Sequence, residues 1–261
     1  MLFRSPVIAV LLKGSFSSQP RWSWNHRLGS MEIEFKLVMD GAQAKAGTPD
    51  EILSALTAAM EYDEEEWRVN HPVKYRGSGR AAWLELSLFM YPACGKVGTM
   101  RSRINRLSCT ACGHAVRLSR DYKFQGIGTS KPLFKTIREW DLWQAEAFGT
   151  LVRNPAKRAD TPIFSDAGVV ILKGYRMNAL RRLRTGTMHM YPDRIALVTL
   201  RGESLEFPIA EIDGEGVLKQ QLFEFYRGKD LYQFRFPKRS QSARKWLAAV
   251  TALKAVSPPS T

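Results

Sequence analysis

The sequence predicts a mixed α/β protein built from more than one domain. Its 261 residues, 44% of them apolar, suffice for one large or two ordinary domains with a buried core. Two helices carry clear start signals, and period-2 strand patterns occur near the beginning and in the last hundred residues. We divide the chain into segments 1–75, 76–153 and 160–256, and a polar, Pro-containing linker precedes the last of them.

The first segment begins with two predicted strands. Residues 7–12 form a short, apolar, β-branched run that ends before Gly14, which is typical of a buried strand. Residues 31–38 alternate charged and apolar side chains, as a half-buried strand does. Because a buried strand needs neighbours on both faces, we expect the N-terminal part to be exposed and poorly stable on its own.

Capping signals predict two helices in the middle of the chain. Thr48 is a candidate N-cap, Pro49 suits the first helical position, and Glu51 completes a capping box. A second box, from Thr136 to Glu139, begins another amphipathic helix.

The last segment reads as a β-rich domain with a final helix. Strand patterns cover residues 194–200, 206–212, 221–226 and 231–236, and an amphipathic helix follows from about residue 242. A meander of short strands closed by one helix suggests a small pleckstrin-homology-like (PH-like) barrel.

The cysteines form a metal-binding pattern that lacks one ligand. A zinc ribbon needs two Cys-x-x-Cys turns, and the second is complete at Cys109 and Cys112. The first contains Cys94, but Tyr91 stands where its leading cysteine would be, and a phenol is a poor ligand because it stays protonated near neutral pH. His114 is the candidate fourth ligand. Zinc is therefore a possible cofactor, and a metal-free module held by packing is the alternative.

Other catalytic chemistry has no support in the sequence. There is no Gly-x-Ser-x-Gly elbow, Walker loop or His-Glu-x-x-His motif, and none of the four histidines has an aspartate five residues later. Three cysteines, an odd number, favour a reducing, cytoplasmic compartment over a disulfide framework. No apolar run approaches the roughly 20 residues of a membrane-spanning helix.

The formal charge of +14 indicates an anionic partner. Basic residues cluster at 101–106, at 176–184 before the last predicted strands, and at 238–245 around the final helix. An anionic phospholipid surface would attract such clusters, and a solvated basic face is the alternative. Nucleic acid is less favoured, because the aromatic residues follow the pattern of a core rather than of a stacking platform.

Several segments in order carry a family resemblance. Residues 6–10, 13–17 and 20–22 are followed by Tyr-Asp-Glu-Glu-Glu-Trp at 62–67, the cysteine module, and Trp-Asp-Leu-Trp-Gln at 140–144. Over about residues 5–150 this order resembles the later part of bacterial 1-acyl-sn-glycerol-3-phosphate acyltransferases.

The resemblance implies that residues 1–75 are the tail of an α/β acyltransferase domain with a zinc-ribbon-like insertion. It also implies a role in phospholipid synthesis at the inner face of the membrane, with an acyl thioester and lysophosphatidate as substrates. The family's catalytic His-x-x-x-x-Asp pair and Pro-Glu-Gly-Thr motif are absent from this chain, so we assign no catalytic residue. Arg21, Arg181, Arg182 and Arg184 are the candidates for contact with substrate or lipid surface.

Three interpretations remain open at this point. The chain is the C-terminal part of such an acyltransferase, or a non-catalytic basic protein that binds membrane surfaces or a partner, or a ribbon-like nucleic-acid binder.

Overall fold

A computed structural model describes residues 5–154, 160–175, 178–218 and 221–255. The chain divides into two compact units, Met1–Ser78 and Gly79–Thr261. All strand pairs between the named strands of the described ranges are antiparallel, and a few helices accompany them, so the predicted mixed α/β class is confirmed.

The first unit contains one β-hairpin and four helices. Its elements are β1 (Val7–Lys13), α1 (Ser15–Ser18), β2 (Glu32–Met39), α2 (Gly41–Ala46), α3 (Pro49–Ala59) and α4 (Glu64–Asn70). The predicted capping box of α3 is confirmed: Thr48 Oγ1 accepts from the N–H of Glu51, and the Glu51 carboxylate accepts from the N–H of Thr48.

The strand predicted at residues 7–12 is present as β1, but it is buried on one face only and not as a whole. Among the strands of the described ranges, β1 pairs with β2 alone, and its side chains alternate between a covered and an exposed face. Ala9 and Leu11 are buried, and Lys36, whose partner across the hairpin is Ala9, donates to the carbonyl of Ala59 at the end of α3. The opposite face, which we call the open apolar face, consists of Ile8, Val10, Leu12, Ile33, Phe35 and Leu37. A two-stranded sheet with helices on one side leaves the other side uncovered.

Two of the segments that carry the family resemblance contact each other in this unit. The Glu64 carboxylate accepts from the N–H groups of Gly14 and Ser17, each at 3.0 Å. Asp63 caps α4 by accepting from the N–H groups of Glu65 and Glu66. These acidic residues therefore satisfy backbone donors that helix starts would otherwise leave unpaired.

The second unit begins with a small sheet and a long helix. The four strands β3 (Met100–Arg103), β4 (Arg106–Cys109), β5 (Ala115–Leu118) and β6 (Phe124–Gly126) pair in sequence order, and α5 (Ile137–Val152) follows. Thr136 Oγ1 caps α5 at the N–H of Glu139, as predicted. The Glu139 carboxylate, however, accepts from the N–H of Lys135, one residue earlier than a capping box requires.

A seven-stranded half-barrel and a closing helix complete the second unit. Its elements are β7 (Phe164–Tyr175), β8 (Arg181–Met190), β9 (Arg194–Thr199), β10 (Ser204–Pro208), β11 (Asp213–Leu218), β12 (Leu222–Arg227), β13 (Asp230–Arg235) and α6 (Ala243–Lys254). Their order in the sheet is β10-β9-β8-β7-β13-β12-β11. The four predicted strands are present, but the one predicted at 206–212 ends at Pro208, where a 3-10 turn begins. The sequence patterns do not predict β7, β8 or β11.

One hydrophobic core joins α5, α6 and the half-barrel. Phe148 of α5 and Trp246 of α6 both lie against Phe164 of β7. The predicted segments 76–153 and 160–256 therefore share this core. Within it, Lys245 is buried and forms a 2.8 Å ion pair with Asp166, which also accepts from the indole N–H of Trp246.

Candidate functional site

The two cysteine turns have the same backbone hydrogen bonds. In the first turn, residues 91–96, the N–H of Tyr91 donates to the carbonyl of Lys96, and the N–H of Gly95 donates to the carbonyl of Tyr91. In the second turn, residues 109–114, Cys109 bonds in the same way with His114 and Gly113. Both glycines have positive φ angles, 65° and 73°, which a side chain would disfavour. Tyr91 thus occupies the backbone position that Cys109 has in the second turn.

The three cysteine sulfurs lie together, within 4.8 Å of one another. The Sγ atoms of Cys94 and Cys109 are 3.7 Å apart, close to the about 3.8 Å expected for two thiolates 2.3 Å from one tetrahedral ion. Cys109 is buried, Cys94 is half-buried and Cys112 is exposed, so the cluster reaches the surface at Cys112. The residues present fit a thiolate-bound metal ion.

The surroundings of Cys109 stabilise its thiolate. Burial opposes ionisation, but the hydrogen bonds at the sulfur together outweigh it, and the pKa of Cys109 falls to about 7: Thr99 Oγ1 lies at 3.2 Å, the N–H of Ala111 at 3.4 Å, and the backbone N–H and thiol of Cys112 add to them. At Cys94 burial is the larger effect and raises the pKa of the thiol.

His114, the predicted fourth ligand, is not part of the cluster. Its Nδ1 lies 2.9 Å from the Tyr91 hydroxyl, and its Nε2 lies 2.9 Å from the carbonyl oxygen of Lys131. Both ring nitrogens are thereby occupied, so the prediction fails on the geometry of the side chain. Burial and the nearby cysteines raise the pKa of the Tyr91 phenol above its ordinary value, so Tyr91 stays a neutral hydroxyl.

A second candidate site is a basic cavity of about 690 Å³ on the half-barrel. It lies between two β-bulges in the β7–β8 pair. In β7 the residues Ala167 and Gly168 together oppose one residue of β8, and in β8 Leu183 is the extra residue. Gly168 has a φ of 76°, typical of the glycine-type bulge. Bulges redirect neighbouring side chains, and here Arg182 and Arg184, on either side of Leu183, are both exposed at the cavity.

The charge of this cavity is predominantly positive. Arg182, Arg184 and Arg201 line it, and Glu203 is the one acidic residue among the described lining residues. The Arg184 guanidinium forms a 3.4 Å pair with Glu203, and Arg182 donates to the Thr185 hydroxyl. A neighbouring cavity of about 580 Å³ shares Arg182 and adds Lys173 and Arg181.

An apolar side chain projects next to these arginines. Leu200, in the turn between β9 and β10, is fully exposed and lines the basic cavity beside Arg201. We call Arg182, Arg184, Leu200 and Arg201 the basic rim. No helix in the described ranges is both long and apolar enough to cross a bilayer.

The structure separates the predicted basic residues into different groups. Arg181, Arg182 and Arg184 lie on β8 itself. The sequence placed them before the strands of the half-barrel because its pattern does not predict β8. Arg21 is an exposed residue of the first unit and does not line this cavity. Arg176 lies outside the described residues.

Most basic side chains of the cluster predicted at 238–245 form ion pairs within the protein. Arg239 pairs with the buried carboxylate of Glu85 and lies over the Trp83 ring, and Arg244 pairs with Asp141 at 2.6 Å. Together with the Lys245–Asp166 pair, these contacts neutralise most of the charge at the start of α6.

Sequence reasoning missed two residues of the basic rim, Leu200 and Arg201. The sequence offers one signal for them: the apolar residue Leu200 is followed by the polar turn Arg201-Gly202-Glu203. A leucine in such a turn is exposed and does not pack into a core.

Comparisons with known proteins do not identify a family. No protein-family model and no curated protein matches the chain. Among solved structures, a chain of the 8S snRNP assembly intermediate is similar with a TM-score of 0.32 and 10% identity, over 41% of this chain and 91% of that chain. A likeness of this size carries no argument about function.

Proposed function

We propose that this chain binds anionic phospholipid surfaces through the basic rim. The observation that carries the proposal is the combination of three arginines around a cavity with a fully exposed leucine beside them. Such a combination suits a membrane interface, where the arginines contact phosphate groups and the leucine enters the apolar region.

The expected energies are sufficient for reversible attachment. Each basic residue near an anionic surface contributes about 1 kcal/mol, and burying a leucine adds about 1.5–3 kcal/mol. The net charge of +14 adds long-range attraction of the same sign. The antiparallel half-barrel with its closing helix supports the PH-like prediction for residues 160–256.

We also propose that this surface belongs to an acyltransferase-like protein of phospholipid synthesis, of which this chain supplies a non-catalytic C-terminal part at the inner face of the membrane. The contact between segments 13–17 and 62–67, both of which carry the resemblance, supports it. The pure chain should not convert lysophosphatidate and an acyl thioester to product, measured by mass spectrometry. Turnover would contradict the non-catalytic assignment.

For the cysteine cluster we propose bound zinc with a structural role. The support is the spacing of the three sulfurs and the N–H and hydroxyl groups directed at Cys109. Three thiolate ligands favour a soft or borderline ion such as Zn²⁺ over Mg²⁺ or Ca²⁺. Metal analysis of the reduced protein should give about one zinc per chain, and much less would contradict the proposal.

The membrane proposal is tested by co-sedimentation with vesicles. Binding to vesicles that contain phosphatidate should exceed binding to neutral phosphatidylcholine vesicles and should weaken as salt rises. Arg182→Gln with Arg184→Gln should cost about 2 kcal/mol, roughly a 30-fold loss of affinity. Leu200→Ser should weaken binding about tenfold, because a leucine is worth about 1.5 kcal/mol or more, without changing the salt dependence.

The β3–β4 hairpin offers a matched control. It exposes two arginines and one branched apolar residue, Arg103, Arg106 and Ile104, but does not line the cavity. Substituting Arg103 and Arg106 by Gln, or Ile104 by Ser, should have little effect. Equal losses in the rim and control variants would contradict a specific rim, and tighter binding to nucleic acid than to anionic vesicles at equal salt would contradict the membrane proposal.

A further inference from the structure

The first cysteine turn is built to hold a ligand at residue 91, but its side chain is committed elsewhere. The backbone at Tyr91 repeats the hydrogen bonds found at Cys109. The Tyr91 side chain is completely buried, lies edge-on to the Trp140 ring at 5.2 Å between centroids, and bonds through its hydroxyl to His114. It is therefore fixed in the core of the module.

The same hydrogen bond removes the other candidate for the fourth ligand. His114 is held between the Tyr91 hydroxyl and the carbonyl of Lys131, so neither ring nitrogen is available to bind a metal ion held by the three sulfurs. Among the described residues, no other histidine, cysteine or carboxylate lies in the group formed by the three sulfurs. The protein thus offers three ligands where a closed structural zinc site has four.

The cluster is accessible from solvent on the side of Cys112. Cys112 is exposed, and its neighbours Ala111 and Gly113 are exposed as well. A small molecule can therefore reach the cluster at Cys112 without a change of fold.

We propose that the cluster is an open metal site, in which Cys94, Cys109 and Cys112 bind one thiophilic divalent ion and an exogenous ligand completes its coordination. Water fills the position by default, and a low-molecular-weight thiol replaces it, because thiolates are preferred ligands of such ions. The proposal rests on the metal binding proposed above and adds that one coordination position is exchangeable. Exchange replaces one neutral or anionic ligand by another, with loss of the thiol proton to solvent and no redox step.

Cobalt spectroscopy tests the proposal on the full chain. Co²⁺ replaces Zn²⁺ in the protein kept reduced with a non-thiol reductant, and its visible and near-ultraviolet bands report the number and type of ligands. Addition of a small thiol such as N-acetylcysteine should raise the sulfur-to-cobalt charge-transfer band by about one third, because three sulfurs become four.

Two variants give the matched controls. Tyr91→Cys supplies a fourth thiol at the position prepared by the backbone, so its cobalt spectrum should already be that of four sulfurs, should not respond to added thiol, and should accompany at least tenfold tighter Zn²⁺ binding in chelator competition. His114→Gln should leave the cobalt spectrum and its response to thiol unchanged.

The outcomes separate the two proposals. Failure to bind Co²⁺ or Zn²⁺ would overturn both metal binding and the open position. Metal binding without a response to thiol in the natural sequence, or loss of a band in His114→Gln, would leave metal binding intact and overturn the open position.

Discussion

The hairpin of the first unit and the half-barrel of the second differ in what covers their apolar faces. Both are antiparallel sheets in which successive side chains of a strand point to opposite faces. In the half-barrel, Phe223, Phe225 and Phe234 are completely buried beneath α5, α6 and the opposite strands. In the hairpin, Phe35 is 71% exposed and the rest of the open apolar face is similarly uncovered.

The difference shows what a period-2 pattern determines. It tells which side chains share a face of a strand, and this was correct for both β2 and β13. Whether a second layer covers that face depends on elements elsewhere in the chain or in another molecule. The two sheets should therefore respond very differently to equivalent substitutions.

The largest expected effect separates two phenylalanines. Phe234→Ala should lower the free energy of unfolding of the second unit by about 3–5 kcal/mol, because it leaves a cavity in a closed core. Phe35→Ala should change stability by less than about 0.5 kcal/mol, as at an exposed position. Differential scanning calorimetry measures both. Similar losses would mean that the open apolar face is covered in solution.

A smaller effect separates two ion pairs. Asp166→Ala should cost the second unit about 3 kcal/mol, because it leaves the buried Lys245 ammonium unpaired. Glu34→Ala breaks the pair between Glu34 and Lys13 on the hairpin, but Lys13 keeps its 3.2 Å pair with Glu32, so this substitution should cause no measurable change. Denaturant unfolding followed by tryptophan fluorescence reports both variants.

The control for the buried pair is the double variant Asp166→Ala with Lys245→Met, which removes the uncompensated charge. It should recover most of the loss. If the double variant is as unstable as the single one, the loss comes from the hydrogen bond to Trp246 and from packing rather than from the charge.

The smallest effect on stability concerns association. Val10→Thr with Phe35→Thr keeps residues that favour strands and places two polar side chains in the middle of the open apolar face. The melting temperature should stay the same while self-association, measured by sedimentation velocity, decreases. A lower melting temperature without reduced association would contradict the exposed state of this face.

Local signals in the sequence predicted much of the secondary structure. Thr48 and Thr136 cap helices as their capping signals predict, and the strands predicted at 221–226 and 231–236 pair as β12 and β13. These features depend on hydrogen bonds between residues a few positions apart, so the sequence contains all that is needed to predict them.

Features that depend on distant contacts were not predictable in this way. β8 begins with a run of arginines, so its period-2 pattern appears only after Gly186, and the sequence indicates a basic segment there rather than a strand. Gln144 belongs to a segment of the resemblance, but nothing in the sequence predicts that its buried amide oxygen accepts from the N–H groups of both Phe89 and Met90.

The candidate sites show the same division. The spacing of Cys94, Cys109 and Cys112 in the sequence predicts that they lie together, and their sulfurs do. The same spacing suggests His114 as the fourth metal ligand, but Tyr91 and Lys131 set the orientation of its ring. Neither contact can be predicted from the positions of these residues in the sequence.

The two bulges that flank the basic cavity also determine how the gene tolerates single-codon insertions and deletions. β7 carries one extra residue at Ala167–Gly168 and β8 carries one at Leu183, and each bulge absorbs its own extra residue, so the strand pairs on both sides of it stay in place. Deleting Gly168 would leave Ala167 alone opposite Thr187, and the flanking pairs would keep their partners and faces. Deleting Gly168 and Leu183 together would yield a regular strand pair without the bulges that flank the cavity. Each bulge can therefore be gained or lost by one codon without disturbing the other.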